Sequence, residues 1–364
     1  MARISVLVVD DSVVIRRLVS NVLEADPEIT VVGTAASGRI ALDKLLRVAP
    51  DCVTMDVEMP GLDGIATVRE LRRTHPRLPV VMFSTLTERS ASATLDALAA
   101  GANDYVCKPA NVGSVPEAMA SVRDQLIPKI KALCPLPRAH RAPAPVRPAV
   151  PATGPRAAVP SGRLEVLAIG CSTGGPDALA TLLPQLPGGL AVPVVITQHM
   201  PPIFTRLFAQ RLDGRCALRV KEAEEGDPVV PGSVLIAPGG RHLEVRRRGA
   251  GVVVHLTDAP PENYCRPAVD VMLRSVAATY GAGVLTVVLT GMGSDGARGA
   301  EVVRRLGGEV VVQDEATSVV WGMPGSVVAG GHAHRVLPLP RIALDILSGV
   351  SRGRQAPLAA GVGT

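Results

Sequence analysis

Apolar, β-branched runs alternate with segments of helical spacing along most of this chain. The first run, ISVLVVDD, reads as a buried strand that ends in acids. Ser12 to Ala25 follows with helical spacing, its polar side marked by Arg16, Arg17 and Ser20. Strand-like runs recur at 30–35, 52–56, 79–83 and 104–107, with helical stretches such as 38–46 and 65–74 between them. Five strands separated by helices predict a doubly wound parallel sheet over residues 1–127. A second pattern of the same kind starts at Leu164. Its strand candidates are 164–170, 192–198, 233–237, 251–256, 284–290 and 309–313, and its helices fit 176–183, 203–212, 268–280 and 296–306. The fold class is therefore α/β, with two doubly wound parallel-sheet domains at 1–127 and 163–351.

The stretch between them breaks the pattern. Residues 128–162 read as a Pro/Ala/Arg-rich linker, with eight prolines from Cys134 onward and no periodicity. Residues 352–364 read as a flexible Gly/Ala-rich tail. Charge changes the picture only here. The formal net charge is +5, but no acid occurs from Gln125 to Leu164, while seven Lys and Arg do. Without that stretch the chain is close to neutral, so the basic excess belongs to the connector rather than to a nucleic-acid-binding face. Aromatics at 2% leave no base-stacking platform. The residues after the linker begin a strand–serine loop–helix pattern, not a helix-turn-helix. The six cysteines form no CxxC pair, Met1 to Arg3 leads straight into a strand, and no apolar run reaches membrane-spanning length. These features predict a cytoplasmic protein with reduced thiols and no membrane insertion; a monomer is the expected state.

Candidate chemistry gathers at strand ends. Asp10 and Asp11 end the first strand, Asp56 ends the third, Ser84 follows the fourth and Lys108 the fifth. In a parallel sheet these ends meet at one edge, where ligands bind. Three carboxylates there suit a hard divalent cation such as Mg²⁺. A cation beside Asp56 can orient a phosphoryl group for transfer to its carboxylate, with Lys108 and the Ser84 hydroxyl placed to answer the added charge. Asp63 and Asp104 fit a helix cap or a solvated loop acid instead. The pattern resembles the receiver domain of two-component response regulators, and includes Tyr105 and the Lys108–Pro109 pair. The resemblance implies phosphorylation of Asp56 by a histidine kinase, Mg²⁺ held by Asp11, Asp56 and the backbone of Glu58 with Asp10 nearby, and Ser84 and Tyr105 as a switch pair.

In the second half, Ser172 follows VLAIGC and precedes TGGP, where glycines permit a sharp turn and Pro176 suits a first helical turn. His199 alone among the seven histidines caps a long buried strand run, VPVVITQH. Asp295 sits in LTGMGSDG after a third apolar run. Serine, histidine and carboxylate at strand ends of one sheet are the parts of a nucleophilic triad. Asp295 also suits an N-cap of the helix beginning at Gly296. Cys171 is a rival nucleophile, but strand neighbours point to opposite sides and only one should face the site. The string GCSTGGP lacks the spacing of either common phosphate-binding loop. The motifs AIGCSTGGP, QHMP, CRPAVDVMLRS, LTGMGSDG and QDEATSVVWGMPGSV resemble the catalytic domain of the chemotaxis protein-glutamate methylesterases. The resemblance implies Ser172 as nucleophile, His199 as base, Asp295 as its orienting acid, and the backbone N–H groups of Thr173 and Met292 as oxyanion donors. It further implies hydrolysis of glutamyl methyl esters on methyl-accepting chemoreceptors with release of methanol, deamidation of receptor glutamines, and no cofactor for hydrolysis. A catalytically dead scaffold is the competing reading, and labelling of Ser172 by an organophosphonate separates the two.

Overall fold

The computed structural model describes residues 3–109, 114–135 and 163–352. Residues 136–162 of the predicted linker 128–162, and 353–364 of the predicted tail 352–364, lie outside the described residues. Two compact units divide the chain.

The first unit carries strands β1 (Ile4–Val9), β2 (Ile29–Ala35), β3 (Cys52–Asp56), β4 (Val80–Ser84) and β5 (Asp104–Cys107). Helices α1 (Val13–Glu24), α2 (Gly38–Val48), α3 (Gly64–Thr74), α4 (Glu88–Ala99) and α5 (Val115–Leu133) connect and follow them. The sheet is parallel in the order β2-β1-β3-β4-β5. Every residue of β3 and β4 is buried, which is why these strands read as unbroken apolar runs rather than alternating ones. The strand order reverses between β1 and β3, so their carboxyl ends open a crevice. Ser12, Ser37, Asp63, Thr87 and Ser114 cap the helices, each accepting a backbone N–H of the first turn.

Helix α5 extends past the expected boundary at residue 127. Pro128 sits inside it, and Leu126 and Ile130 on either side are fully buried against β1 and its neighbours. Burial of that apolar face outweighs the backbone hydrogen bond that proline removes. Lys129 and Lys131, which looked like linker charge, belong to this helix and pair with Asp104 at 2.7 Å and Asp26 at 2.9 Å. Asp104 is thus a buried ion-pair partner, not a solvated loop acid, whereas Asp63 is the predicted helix cap.

The second unit carries β6 (Val166–Cys171), β7 (Val194–Gln198), β8 (Arg219–Glu222), β9 (Ser233–Ile236), β10 (His242–Arg248), β11 (Gly251–Thr257), β12 (Val284–Val288), β13 (Glu309–Gln313) and β14 (Arg335–Leu337). Its helices are α6 (Gly175–Leu182), α7 (Phe204–Asp213), α8 (Val269–Tyr280), α9 (Ala297–Arg305), α10 (Gly322–Ala329) and α11 (Leu339–Arg352). Seven strands form a parallel sheet in the order β14-β13-β12-β6-β7-β9-β8. The expected strand at 251–256 is not part of it. As β11 it pairs antiparallel with β10 in a separate ribbon, because Gly249, with φ 60°, closes a tight reversal that a crossover strand cannot use. Strands β8 and β14 are short and lie at the two edges, where alternation is weak, and the sequence pattern gave no sign of them.

Helix α8 lies close on the sheet. A Cβ on Gly170 would come 2.3 Å from Val269 Cγ1, and one on Gly299 would come 2.6 Å from Leu273 Cβ. These two glycines let α8 settle against β6 and α9. They bring the first turn of α8 to the carboxyl edge of the sheet.

Candidate functional site

Chain order reverses again at β6, which has β7 on one side and β12 on the other. Ser172 follows β6, His199 follows β7, and Asp295 lies in the loop after β12. The three predicted residues therefore gather at a topological switch point. His199 N–H donates to the Cys171 carbonyl at 3.2 Å and Ser172 N–H to the Thr290 carbonyl at 3.0 Å. The serine is thus laced to both flanking loops.

Asp295 is 2% exposed, yet its carboxylate is well supplied with donors. Oδ2 accepts the Val269 N–H at 2.7 Å and the imidazole Nε2–H of His199 at 2.8 Å. Oδ1 accepts the N–H groups of Asp270 and Gly296, both at 3.0 Å, and the Asn263 amide at 2.9 Å. The capping alternative is therefore partly true: Asp295 caps a helix, but it is α8 rather than α9. Burial alone would raise this carboxyl; the His199 hydrogen bond and charge, with the backbone donors, outweigh it and hold it below its ordinary value.

Because Nε2 donates to a carboxylate, the neutral ring keeps Nδ1 as its acceptor. Cys265 Sγ stands 3.5 Å from that Nδ1. Burial pushes the imidazole down, but the hydrogen bonds to Asp295 and Cys265 dominate and lift it to about 9. Among the described residues the acid–base half of the triad is assembled, while Nδ1 is engaged by the thiol rather than by the Ser172 hydroxyl. Cys171, the rival nucleophile, is fully buried, and burial pushes its thiol well up.

Four further residues shape the site; Gln198, Cys265 and Asp270 lie in the quoted motifs and Asn263 does not, and the sequence assigned none of them a role. Gln198 donates from Nε2 to the carbonyls of Ser172 at 3.0 Å and His199 at 3.2 Å, clamping the two loops. Asn263 bridges Asp295 and Asp270 Oδ2, the latter at 3.0 Å. Asp270 accepts the Gly299 N–H at 2.6 Å. Cys265 touches the His199 ring. Asn263 and Cys265 come from one turn, in which Glu262 and Cys265 exchange backbone hydrogen bonds of 3.1 and 2.9 Å. Its central residues, Asn263 and Tyr264, have φ of 52° and 63°, as a type I′ turn requires. Arg274 of α8 grips Glu262 through two hydrogen bonds of 2.7 and 2.6 Å. The signal available in the sequence was an acid in ENYCRP and an arginine in MLRS, which no local rule joins.

The loops that carry Thr173 and Met292 lie together. Thr290 Oγ1 donates to the Thr173 carbonyl at 2.9 Å, and a Cβ on Gly291 would fall 2.9 Å from Ser172 Cβ. Only glycine lets the backbone leading to Met292 pass so near the serine.

In the first unit, Asp10, Asp11 and Asp56 place carboxylate oxygens within 4.8 Å of one another. Lys108 Nζ lies 2.9 Å from Asp10 Oδ2 and 2.8 Å from Asp56 Oδ2. Asp10 Oδ2 is buried and has this charge beside it but no oriented hydrogen bond. Burial raises the Asp56 carboxyl to about 6, against the Lys108 hydrogen bond and with the nearby Asp10 charge. An excess of buried negative charge with an oxygen left over fits a hard divalent cation. Ser84 accepts the Thr94 hydroxyl at 2.6 Å at the end of β4, and Ser90 Oγ donates to Glu58 Oε1 at 2.9 Å. Tyr105 is buried under Lys129, whose Nζ lies 5.2 Å from the ring centre.

Comparison with known proteins agrees with both halves. Residues 6–120 match the response regulator receiver domain, and residues 167–346 match the CheB methylesterase family. A Nocardioides protein-glutamate methylesterase/protein-glutamine glutaminase is 57% identical over 364 residues, covering 99% of each chain. A Trichodesmium erythraeum protein of the same description is 47% identical over 95% of this chain and 99% of its own. The Thermotoga maritima CheB methylesterase catalytic domain superposes with a TM-score of 0.50 at 44% identity, covering 51% of this chain and 98% of that one. With a receiver-type crevice in one unit, a serine–histidine–aspartate edge in the other and relatives alike over nearly their full length, the chain belongs to the protein-glutamate methylesterase/protein-glutamine glutaminase family.

Proposed function

We propose that Ser172, His199 and Asp295 hydrolyse glutamyl methyl esters of chemoreceptors, and deamidate receptor glutamines, under control of phosphorylation at Asp56. The observation that carries this reading is the Asp295–His199 hydrogen bond at the switch point beside Ser172, with Asp295 fixed by three backbone donors. His199 Nδ1 takes the Ser172 proton as Oγ attacks the ester carbonyl. The amides of Thr173 and Met292 stabilise the resulting oxyanion. The imidazolium returns its proton to the departing methoxide, releasing methanol, and water then cleaves the acyl-enzyme by the same route. Asp295 favours the imidazolium, consistent with the raised basicity of His199. An amide substrate follows the same steps with ammonia as leaving group. Hydrolysis needs no cofactor in this scheme.

In the receiver unit, Asp11, Asp56 and the Glu58 carbonyl would hold Mg²⁺, with Asp10 beside them. When bound, the cation supplies charge neutralisation for an incoming phosphoryl group. Lys108 pairs with the phosphorylated carboxylate, and Ser84 and Tyr105 respond to it as a switch pair. The phosphodonor is a histidine kinase, the substrate receptors present cytoplasmic helices, and the enzyme works in the cytoplasm as a monomer. The receiver spans 1–135, the linker 136–162 and the catalytic domain 163–352. Among the described residues no helix is long and apolar enough to cross a membrane.

The test is methanol release from methylated receptor fragments, with and without a small-molecule phosphodonor. Release should depend on Ser172 and rise with phosphodonor only when Asp56 is present. Full release by Ser172→Ala would overturn the hydrolytic assignment. A phosphodonor response in Asp56→Asn would overturn the control.

A further inference from the structure

We propose that Cys265 is a modification site for hydroperoxides, and that its oxidation takes the hydrolase's base out of use. Asp295, His199 and Cys265 form an acid–base–thiol line, with 2.8 Å from Asp295 to Nε2 and 3.5 Å from Nδ1 to sulfur. That is the arrangement by which an imidazole activates a thiol: the proton moves to Nδ1, the carboxylate stabilises the imidazolium, and the thiolate becomes the nucleophile. Cys265 is partly exposed, so a small oxidant can reach it. It is also held in place, because the turn that carries it is closed by two backbone hydrogen bonds and anchored to α8 by the Glu262–Arg274 fork.

The other five thiols lack this setting. Cys52 and Cys171 are fully buried. Burial raises the Cys107 thiol to about 11 and also raises that of Cys216. Cys134 is the one rival, since its hydrogen bond with Cys52 lowers its pKa, but its thiol also donates to the Asp51 carbonyl at 3.3 Å and, among the described residues, no imidazole stands beside it to take its proton.

The step balances with a hydroperoxide as oxidant. The thiolate sulfur attacks one peroxide oxygen; an S–O bond forms and the O–O bond breaks. Sulfur gives up two electrons, and the departing oxygen takes the thiol proton from Nδ1 and leaves as water or an alcohol. The sulfenic acid then hydrogen-bonds to Nδ1, the nitrogen that Ser172 must use. This consequence rests on His199 being the esterase base, whereas the oxidation itself does not.

The experiment treats the full chain with hydrogen peroxide in the presence of dimedone, maps adducts by peptide mass spectrometry, and follows methanol release in a parallel sample without dimedone. Labelling at Cys265 should run at least about tenfold faster than at any other cysteine, and slow by a similar factor in His199→Gln. Methanol release should fall in step and return with dithiothreitol, which does not reverse methionine sulfoxide. Cys265→Ala and Cys265→Ser, each compared with its own untreated rate, should resist peroxide. Faster labelling of Cys134, unimpaired methanol release after Cys265 is labelled, or peroxide loss in both variants at the wild-type rate would each overturn the proposal. Methanol release by His199→Gln would instead overturn the assignment of the base and leave the labelling result to be judged alone.

Discussion

Replacing Asp56 by asparagine should make the receiver unit more stable, although it removes the partner of an ion pair. The Asp56 carboxylate is 3% exposed, shares its crevice with Asp10, and is answered by Lys108 at 2.8 Å. Burial outweighs the lysine, so the carboxyl titrates at about 6 rather than 3.8. A raised acid pKa means that the folded state holds the proton more tightly than the unfolded chain does. Stability therefore increases as pH falls from above 6 toward 3.8, and the cost of the charge is fully present at pH 7. A shift of about two units corresponds to roughly 3 kcal/mol. Asparagine loses the charge-assisted bond to Lys108, so the net gain should be about 1–3 kcal/mol. Hydrogen exchange reads this unit within the intact chain. Amides of β1 and β3 should exchange about 5- to 150-fold more slowly in Asp56→Asn at pH 7. Mg²⁺ should slow the same amides in the wild type and do little in the variant. Equal or faster exchange in Asp56→Asn would show that Lys108 fully compensates the buried charge and that the reasoning is wrong.

Ser172→Ala should lose about 10⁴-fold or more in methanol release while keeping its fold, since one hydroxyl leaves no large cavity; circular dichroism with a release assay checks both. With His199 at about 9, kcat/KM should climb nearly tenfold per pH unit from 7 and level off near 9, and a plateau already at pH 7 would contradict the raised imidazole. The same shift predicts a folding contribution that is complete below 6.5 and lost as pH rises through about 9, seen as a falling unfolding midpoint of the catalytic unit. Asn263→Gly keeps the left-handed turn but strips Asp270 Oδ2 of its amide donor and leaves Asp295 Oδ1 with its two backbone donors alone; kcat should fall about tenfold with KM little changed. Gly170→Ala should push Val269 and the first turn of α8 off Asp295, reducing both stability and kcat, measured by thermal unfolding and single-turnover release.

The alternation of strands and helices was legible because the central parallel strands are buried on both faces and so appear as uninterrupted apolar runs. The positions of Asp10, Asp56, Ser172, His199 and Asp295 followed from the same signal, since a loop at a strand's carboxyl end must carry the reactive side chain. Edge strands β8 and β14, strand β10 with its antiparallel pairing to β11, and the last turns of α5 did not show, because edges are half exposed, the ribbon leaves the sheet, and a proline obscured a helix held by packing. Which helix Asp295 caps, and which atom sits on His199 Nδ1, were decided only in three dimensions. Both depend on the Glu262–Cys265 turn meeting the loops after β7 and β12, 66 residues from His199 to Cys265 and 32 from Asn263 to Asp295. Sequence patterns report the environment of each residue along its own element. Contacts between turns so far apart are set by how closely α8 can approach the sheet, and that is fixed by the missing side chains of Gly170 and Gly299.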